Sequence, residues 1–460
     1  MHNFNLNFIP EQKGVYIVGG SVRDALMGKP PKDYDIAVTG DARIVAEAIA
    51  ARAGSRVIEL GKPGKKIYRV VSGRHTYDIS PAKSPLIAED LKQRDFTINA
   101  MAFDVFEKKL IDPLNGHKDI DARTVRTVSP NALKNDPIRL LRAFRIASAA
   151  DFDISLETLA EIRTNAPFLP TVAGERIREE WIKLTGTSRS FPHILQMADT
   201  GLLSALFPEM DNLKQCPQNS HHAFDVFEHS METYRHLENV LRKNTPPLSD
   251  RLRNAELVQG PCGVALIKHA ALLHDIGKPA VRTVDENGKT HFYGHETTGS
   301  AMTRTISDRL CFSTVQKNYV HFLVQNHLRP LFLFIALSRG RKKDTALTRF
   351  FVRTMPFTFD LILLFTGDMM GKSENRQDPA ELSDFTRNTI ESYFNAFYPK
   401  LKQPPLVNGQ DLIDCLRLPP SPIIAEILQK IEIQRLSGKM TDKTEALAYA
   451  EKYIKSKNLS

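Results

Sequence analysis

Gly19-Gly20-Ser21-Val22-Arg23-Asp24-Ala25-Leu26-Met27-Gly28, followed closely by Asp33-Tyr34-Asp35, is the stretch on which the reading of this chain turns. Val15–Val18 before it has a buried-strand pattern, and Ser21–Leu26 after the glycines has the character of a helix start. Taken alone, Gly19-Gly20 is a tight turn. Between a strand and a helix, paired glycines also let the backbone approach a triphosphate and aim N–H groups at it. Asp33 and Asp35 stand at i and i+2 on a strand, so both side chains point to the same face. Two carboxylates on one face repel unless a cation lies between them. Magnesium, held by carboxylates and substrate phosphates, suits that place. Two such ions would activate an attacking hydroxyl and stabilise a leaving pyrophosphate in an in-line phosphoryl transfer.

Working outward, further strand candidates are Tyr34–Val38, Arg56–Leu60, Lys66–Val71 and His75–Ile79, rich in β-branched and aromatic residues. Asp78, in the last of these, is the candidate third carboxylate; a surface aspartate ending a strand is the plainer alternative. From about Ala132 the pattern becomes helical almost without interruption, with Leu140, Leu141, Phe144 and Ala147 on one stripe. The expected fold is an α/β head, a mixed sheet with helices, followed by an all-α remainder. The head spans residues 1–130, a helical neck 131–210, a histidine-rich helical domain 211–375 and a helical tail 376–460. Candidate joints are Gly201–Ser220, Lys243–Arg251 and Lys400–Pro405.

Composition narrows the partners. Over 460 residues the chain is 42% hydrophobic and 25% charged, the balance of a globular protein, and its formal net charge of +9 favours a polyanion. The four cysteines, Cys216, Cys262, Cys311 and Cys415, form no CxxC pair, which argues against a disulfide framework or a cysteine zinc site. Residues 1–10 show no basic region followed by an apolar run. The apolar stretches near Leu331–Leu337 and Leu361–Phe365 read as too short for a bilayer, which takes about 20 residues. A cytoplasmic protein without a membrane partner is expected.

The glycine–aspartate run resembles the signature GGxVRDxLxGxxxxDxD of the class II tRNA nucleotidyltransferase and bacterial poly(A) polymerase family, and matches it completely. The resemblance implies that Asp33 and Asp35 are catalytic and bind Mg2+, with Gly19, Gly20 and Arg23 facing the nucleotide. Gln93-Arg94-Asp95-Phe96-Thr97-Ile98-Asn99-Ala100 resembles the family's RRDFTINA segment, with Gln93 in place of the first arginine. That segment binds ribose and phosphates, a role carried to Arg94, Asp95 and Asn99; Asp95 also suits a helix cap. Asp112-Pro113-Leu114-Asn115-Gly116 matches the turn closing the head. Asn135-Asp136-Pro137-Ile138-Arg139 resembles EDxxR, whose aspartate and arginine pair with the incoming base in place of a template. A guanidinium can donate to O2 and N3 of cytosine while a carboxylate accepts from N4; shifted slightly, the same pair fits adenine. Asp136 and Arg139 alone would read as an i,i+3 surface ion pair. Arg142, also placed at the nucleotide, and Arg145 continue a basic edge, and Glu175-Arg176-Ile177 with Glu180 resembles a neck brace.

His229, His274-Asp275, His295, His327 and Asp368 follow the order of the HD phosphohydrolase superfamily. There the first His, the His-Asp dyad and the last Asp hold one divalent metal, and the two middle histidines can hold a second. Imidazole with carboxylate suits Mn, Ni, Co or Fe as well as Mg. Such domains on nucleotidyltransferases either hydrolyse phosphate esters, for example 2′,3′-cyclic phosphates, or are structural. Val407–Ile413 followed by Pro419–Ile427 resembles the family's tRNA-contacting tail. The resemblance therefore implies tRNA as partner and CTP, with or without ATP, as substrate. Family enzymes that complete the whole CCA end carry a flexible loop before EDLxxRDF, whereas here only Ser80–Ala88 intervenes, with two prolines. The expected subtype adds C only, leaving the last A to a separate A-adding enzyme. The alternatives are full CCA addition, a poly(A) polymerase, and an HD phosphohydrolase with an RNA-binding head.

Overall fold

The computed structural model describes residues 4–61, 66–217, 225–242, 261–340, 343–372, 379–416, 419 and 421–456. The joint read at Lys243–Arg251 lies outside them. The chain divides into two compact units, Met1–Pro208 and Glu209–Ser460.

The first unit is built on a mixed seven-stranded sheet of β1 (Val15–Val18), β2 (Asp33–Val38), β3 (Val57–Leu60), β4 (Ile67–Ser72), β5 (His75–Pro81), β6 (Ala102–Asp104) and β7 (Lys109–Ile111). Their order is β3-β4-β5-β2-β1-β6-β7; β2 and β5 run parallel, and the other neighbours are antiparallel. Alternation along β2 and β5 separates two faces. Tyr34 and Tyr77 are opposite in register and stacked, with ring centroids 5.2 Å apart, and with Ile36 and Ile79 they are buried. Such cross-strand aromatic pairs fix register. The other face is thereby left to Asp33, Asp35 and Asp78. The helix Ala42–Ala53, capped by Asp41 (Oδ1 accepting from Arg43 N–H at 2.8 Å), buries Val45, Ala46 and Ile49. In the neck, Leu140, Leu141, Phe144 and Ala147 of helix Arg139–Ala150 are all buried, and helix Gly174–Thr185 packs beside it.

The second unit is helical and held by very close approaches. A Cβ on Gly367 would lie 2.9 Å from Leu237 Cβ, and one on Gly371 2.9 Å from Thr233 N, so helix Thr358–Met370 and the glycine that ends it lie almost against helix Val226–Arg242. Likewise a Cβ on Gly277 would meet His295 O at 2.3 Å and Gly299 N at 2.5 Å. These contacts bring distant stretches of sequence together at one centre.

The helical reading after Ala132 holds, with two short strand pairs set in it: Asp153–Ile154 joins Thr124–Val125, and Thr283–Val284 pairs with Thr290–His291 across the Asp285-Glu286-Asn287-Gly288 turn. Gly288 there has φ +75°, which supplies the left-handed turn position. The apolar stretch at Leu331–Leu337 also belongs to a longer helical run of 25 residues, Thr314–Ser338, which contains an 18-residue window of mean hydropathy 1.3 and so meets the length and composition of a membrane span. Tyr319, Val320, Leu323, Val324, Leu333 and Phe334 of that run are buried in protein, and it carries the buried polar residues Asn326 and His327.

Gly277→Ala should therefore destabilise the second unit by about 1–3 kcal/mol, because its methyl would collide with backbone that has nowhere to move. Gly40→Ala, with open space around it, should stay within about 0.5 kcal/mol of wild type. Denaturant titration of the two variants checks both values.

Candidate functional site

In the head, the glycine turn and the aspartate strand are latched together by a residue the motif leaves unassigned. Ser21 Oγ donates to Asp33 O at 2.9 Å and accepts from Asp35 N–H at 3.0 Å. Gly19, at φ +71°, lies so close to the strand that a Cβ would sit 3.2 Å from both Asp35 Oδ2 and Arg94 Nη1. A glycine is required there on both counts.

Register does the rest. Asp35 of β2 is directly opposite Asp78 of β5, and Asp78 is opposite Arg69 of β4. Arg69 grips Asp78 with a two-pronged ion pair, Nε to Oδ1 and Nη2 to Oδ2, each 2.7 Å. Asp35 remains open to solvent, yet protein crowds it enough that burial raises its pKa; Arg94 pulls it down, while Asp78 pushes it up again. The three carboxylates share one face without converging as a closed donor set among themselves. All-oxygen donors left partly open in this way fit a hard cation that also takes substrate oxygens. Sequence reasoning missed Arg69, although Gly73-Arg74 is the two-residue hairpin loop whose Ser72–His75 pairing forces Arg69 opposite Asp78.

Behind this face runs a chain of charge-assisted hydrogen bonds. Arg23 reaches Asp24 at 2.7 Å and Asn99 Oδ1 at 2.7 Å; Asn99 Nδ2 donates to Asp95 Oδ1 at 3.2 Å. Asp95 Oδ2 accepts from Arg142 Nε (3.0 Å) and Nη2 (2.7 Å), and its Oδ1 accepts from Phe96 N–H (2.9 Å). Arg142 continues to Glu180, which also takes Arg145 at 2.8 Å. Arg94 is held by buried Asp90 (3.3 Å), whose other oxygen accepts from Lys83 N–H (2.8 Å) in the connection after β5. Arg23, Arg94, Asp95, Asn99 and Arg142 thus stand in fixed relation to the aspartates.

Asp136 and Arg139 make no ion pair with each other. Asp136 Oδ2 accepts from Arg176 at 3.0 Å, whereas Arg139 donates to the carbonyls of Arg94 (2.9 Å), Ala132 (3.2 Å) and Gln93 (2.9 Å). Three of the five guanidinium N–H groups are thereby used, leaving Nε–H and one Nη2–H.

In the second unit the six residues of the His/Asp pattern meet at one buried centre. His229, His274 and Asp368 form one group and Asp275, His295 and His327 another, with donor atoms in each group within 4.8 Å of one another. His229 Nε2 is 3.0 Å from Asp368 Oδ1; His274 Nε2 is 3.1 Å from Asp275 Oδ2; His295 Nε2 lies 3.2 Å from Asp275 Oδ1 and 3.3 Å from His327 Nε2. The Nδ1 atoms of His274, His295 and His327 face the carbonyls of Ala271 (2.9 Å), Phe292 (2.8 Å) and Val324 (2.7 Å). An Nδ1–H donated to a carbonyl leaves the Nε2 lone pair directed inward, the tautomer that ligates metals, so the donor set fits a divalent ion. Lys278, 2.6 Å from Asp275, and Lys372, 3.5 Å from Asp368, were not anticipated.

Comparison with known proteins follows this layout. The sequence profile of the poly A polymerase head domain matches residues 15–126, that of an RNA and SrmB binding site of polymerase A matches 151–214, that of the HD domain matches 226–342, and a tRNA nucleotidyltransferase domain 2 profile matches 379–450. The chain is similar to an A-adding tRNA nucleotidyltransferase of Deinococcus radiodurans, 30% identical with 96% of each chain covered. It is similar as well to a CC-adding tRNA nucleotidyltransferase of Synechocystis, 29% identical over 98% of this chain and 96% of that one. Among solved structures, a CCA-adding enzyme with CTP superposes with TM-score 0.64 at 20% identity, covering 97% of this chain and 92% of that one. A Thermotoga maritima CCA-adding enzyme complexed with tRNA does so with TM-score 0.60 at 22% identity, covering 96% and 91%. At such identities the structures attest the fold.

The Asp95–Arg142 contact yields a pH prediction. Burial favours the neutral acid, but Arg142, Asn99 and the Phe96 N–H outweigh it and hold the Asp95 carboxyl below its ordinary value. A depressed folded-state pKa contributes stability that is complete above the unfolded value, about 4, and is lost as pH falls through the folded value. Asp95→Asn should cost roughly 1–3 kcal/mol at pH 7. The gap between wild type and variant should narrow steadily below about pH 4, as measured by urea unfolding at each pH.

Proposed function

Since the chain belongs to the class II tRNA nucleotidyltransferase (CCA-adding) and poly(A) polymerase family and carries an HD domain, we propose that it transfers nucleotides from CTP to the 3′ end of tRNA. The observation that carries this reading is the shared face of Asp33, Asp35 and Asp78 beside the Gly19-Gly20 turn. Asp33 and Asp35 would hold magnesium together with the substrate phosphates, and Asp78 would complete the anionic face. When bound, the metal lowers the pKa of the attacking 3′-hydroxyl and stabilises the departing pyrophosphate. Gly19 and Gly20 let the triphosphate come close; Arg23, Arg94 and Arg142 offset its charge. Asp136 and the N–H groups Arg139 has left would read the base.

For the subtype we favour C addition alone, with a separate A-adding enzyme completing the end. Ala82 N–H is bonded to Val38 O at 2.8 Å and Lys83 N–H to Asp90, so the short connection after β5 is tied down at its start. A connection this short and anchored makes a poor lever for reshaping a pocket between cytosine and adenine. Relatives of similar identity include both A-adding and CC-adding enzymes, so this assignment rests on the connection.

Purified protein given tRNAs ending before C, after C and after CC, with each labelled NTP offered singly, should extend the first two with CTP. Efficient ATP incorporation onto tRNA ending in CC would contradict the C-only reading. Asp33→Ala and Asp35→Ala should reduce addition by at least about a thousandfold with tRNA binding retained. Near wild-type addition by either would overturn the site.

The convergence of six His and Asp side chains favours a second activity, hydrolysis of phosphate esters in the HD domain. Hydrolysis of a 2′,3′-cyclic nucleotide should require added divalent metal and disappear in His274→Ala, which should still add CMP to tRNA. Absence of bound metal by elemental analysis after reconstitution would leave the domain a structural one.

A further inference from the structure

Beside the His/Asp centre the chain exposes an aromatic pair that neither packing nor the ligand set accounts for. Tyr293 is 79% accessible, the most exposed aromatic side chain among the described residues. Its ring is stacked nearly parallel on that of His291, with centroids 5.2 Å apart and planes at 10°. The His291 ring is held in place. His291 Nε2 lies 2.8 Å from Asp285 Oδ2, and the other Asp285 oxygen accepts from the N–H groups of Asn287 (3.0 Å) and Lys289 (2.9 Å) across the hairpin turn. His291 is itself in register with Thr283.

The same segment reaches the buried centre. His295 Nδ1 faces Phe292 O at 2.8 Å, and Lys278 Nζ sits 5.5 Å from the Phe292 ring centroid while contacting Asp275 at 2.6 Å. Tyr293 is two residues from His295, so their backbones are at most ~7 Å apart at ~3.5 Å per residue. An exposed π-face, backed by the anchored His291 ring, thus stands one short step from a lysine and a metal-type donor set. Exposed aromatic rings are what nucleobases stack on, without preference for sequence.

We propose that His291 and Tyr293 form a nucleobase-stacking platform that seats a nucleoside phosphate, with its phosphate directed toward Lys278 and the His/Asp centre. This rests on reading that centre as one that handles phosphate esters. The platform makes the centre selective for nucleotides over simple phosphate esters.

The test uses full-length protein carrying Tyr293→Trp, which places an exposed indole on the platform; the native tryptophan, Trp181, is fully buried. The introduced indole sits only at the platform, so its emission reports binding there and not at the head. Titrated 3′-AMP and 3′-CMP should quench the new emission saturably, ribose 5-phosphate should not quench, and inorganic phosphate should displace the nucleotides. In the wild-type background, Tyr293→Ala should weaken 3′-AMP binding roughly tenfold by calorimetry, whereas Tyr293→Phe should preserve it. Quenching that rises linearly, as for free indole in solution, or an unchanged affinity in Tyr293→Ala, overturns the platform. Calorimetry with inorganic phosphate alone separates the two readings, since phosphate that binds while nucleotide fails to stack removes the platform and leaves the phosphate centre standing.

Discussion

The constraint on which the head depends is repulsion among carboxylates that the sheet forces onto one face. Parallel pairing of β2 with β5 sets Asp35 opposite Asp78, and strand alternation adds Asp33 on the same side. The Tyr34–Tyr77 stack on the opposite face holds that register, because a one-residue slip would turn the tyrosines out and the aspartates in. Positive charge gathers accordingly: Arg69 on Asp78, and Arg94 beside Gly19 and Asp35. Arg142, whose charge also pulls the Asp35 pKa down, is shared between Asp95 and Glu180. The arrangement is fixed before any nucleotide arrives, which is how electrostatic catalysis avoids reorganisation at the moment of reaction.

The His/Asp centre meets the same problem inside the protein, with its own cations. Burial alone would raise the pKa values of Asp275 and Asp368, but His274 with Lys278 in one case, and Lys372 with His229 in the other, hold both carboxyls well below the ordinary range. Helices distant in sequence can supply these groups only because Gly277, Gly299, Gly367 and Gly371 let backbones nearly touch.

Much of this was legible in the residues. Val15–Val18 followed by paired glycines, and the alternation of Asp33-Tyr34-Asp35, fix a strand, a turn and the side on which both carboxylates stand. The helix Ala42–Ala53 was overlooked although Asp41 and the buried Val45, Ala46 and Ile49 carry its signal. Arg69, Ser21 and Asp90 escaped notice for a different reason. Their importance comes from register and from hydrogen bonds to backbone atoms, which a linear motif does not display. The hairpin Thr283–His291 was hidden because a strand pair this short has almost no periodicity to detect. Arg139 shows the converse: its residue type suggested a base reader, while its bonds to three carbonyls show that it also braces the neck.

The central claim, that the aspartate face of the head requires a cation and receives it with the nucleotide, is tested most directly by counting bound Mn2+ by electron paramagnetic resonance with and without CTP. Wild type should gain about one or two ions per chain on adding CTP. The Asp33→Asn/Asp35→Asn double variant should gain none, with the ions of the His/Asp centre unchanged in both. An equal CTP-dependent gain in wild type and variant would contradict the account.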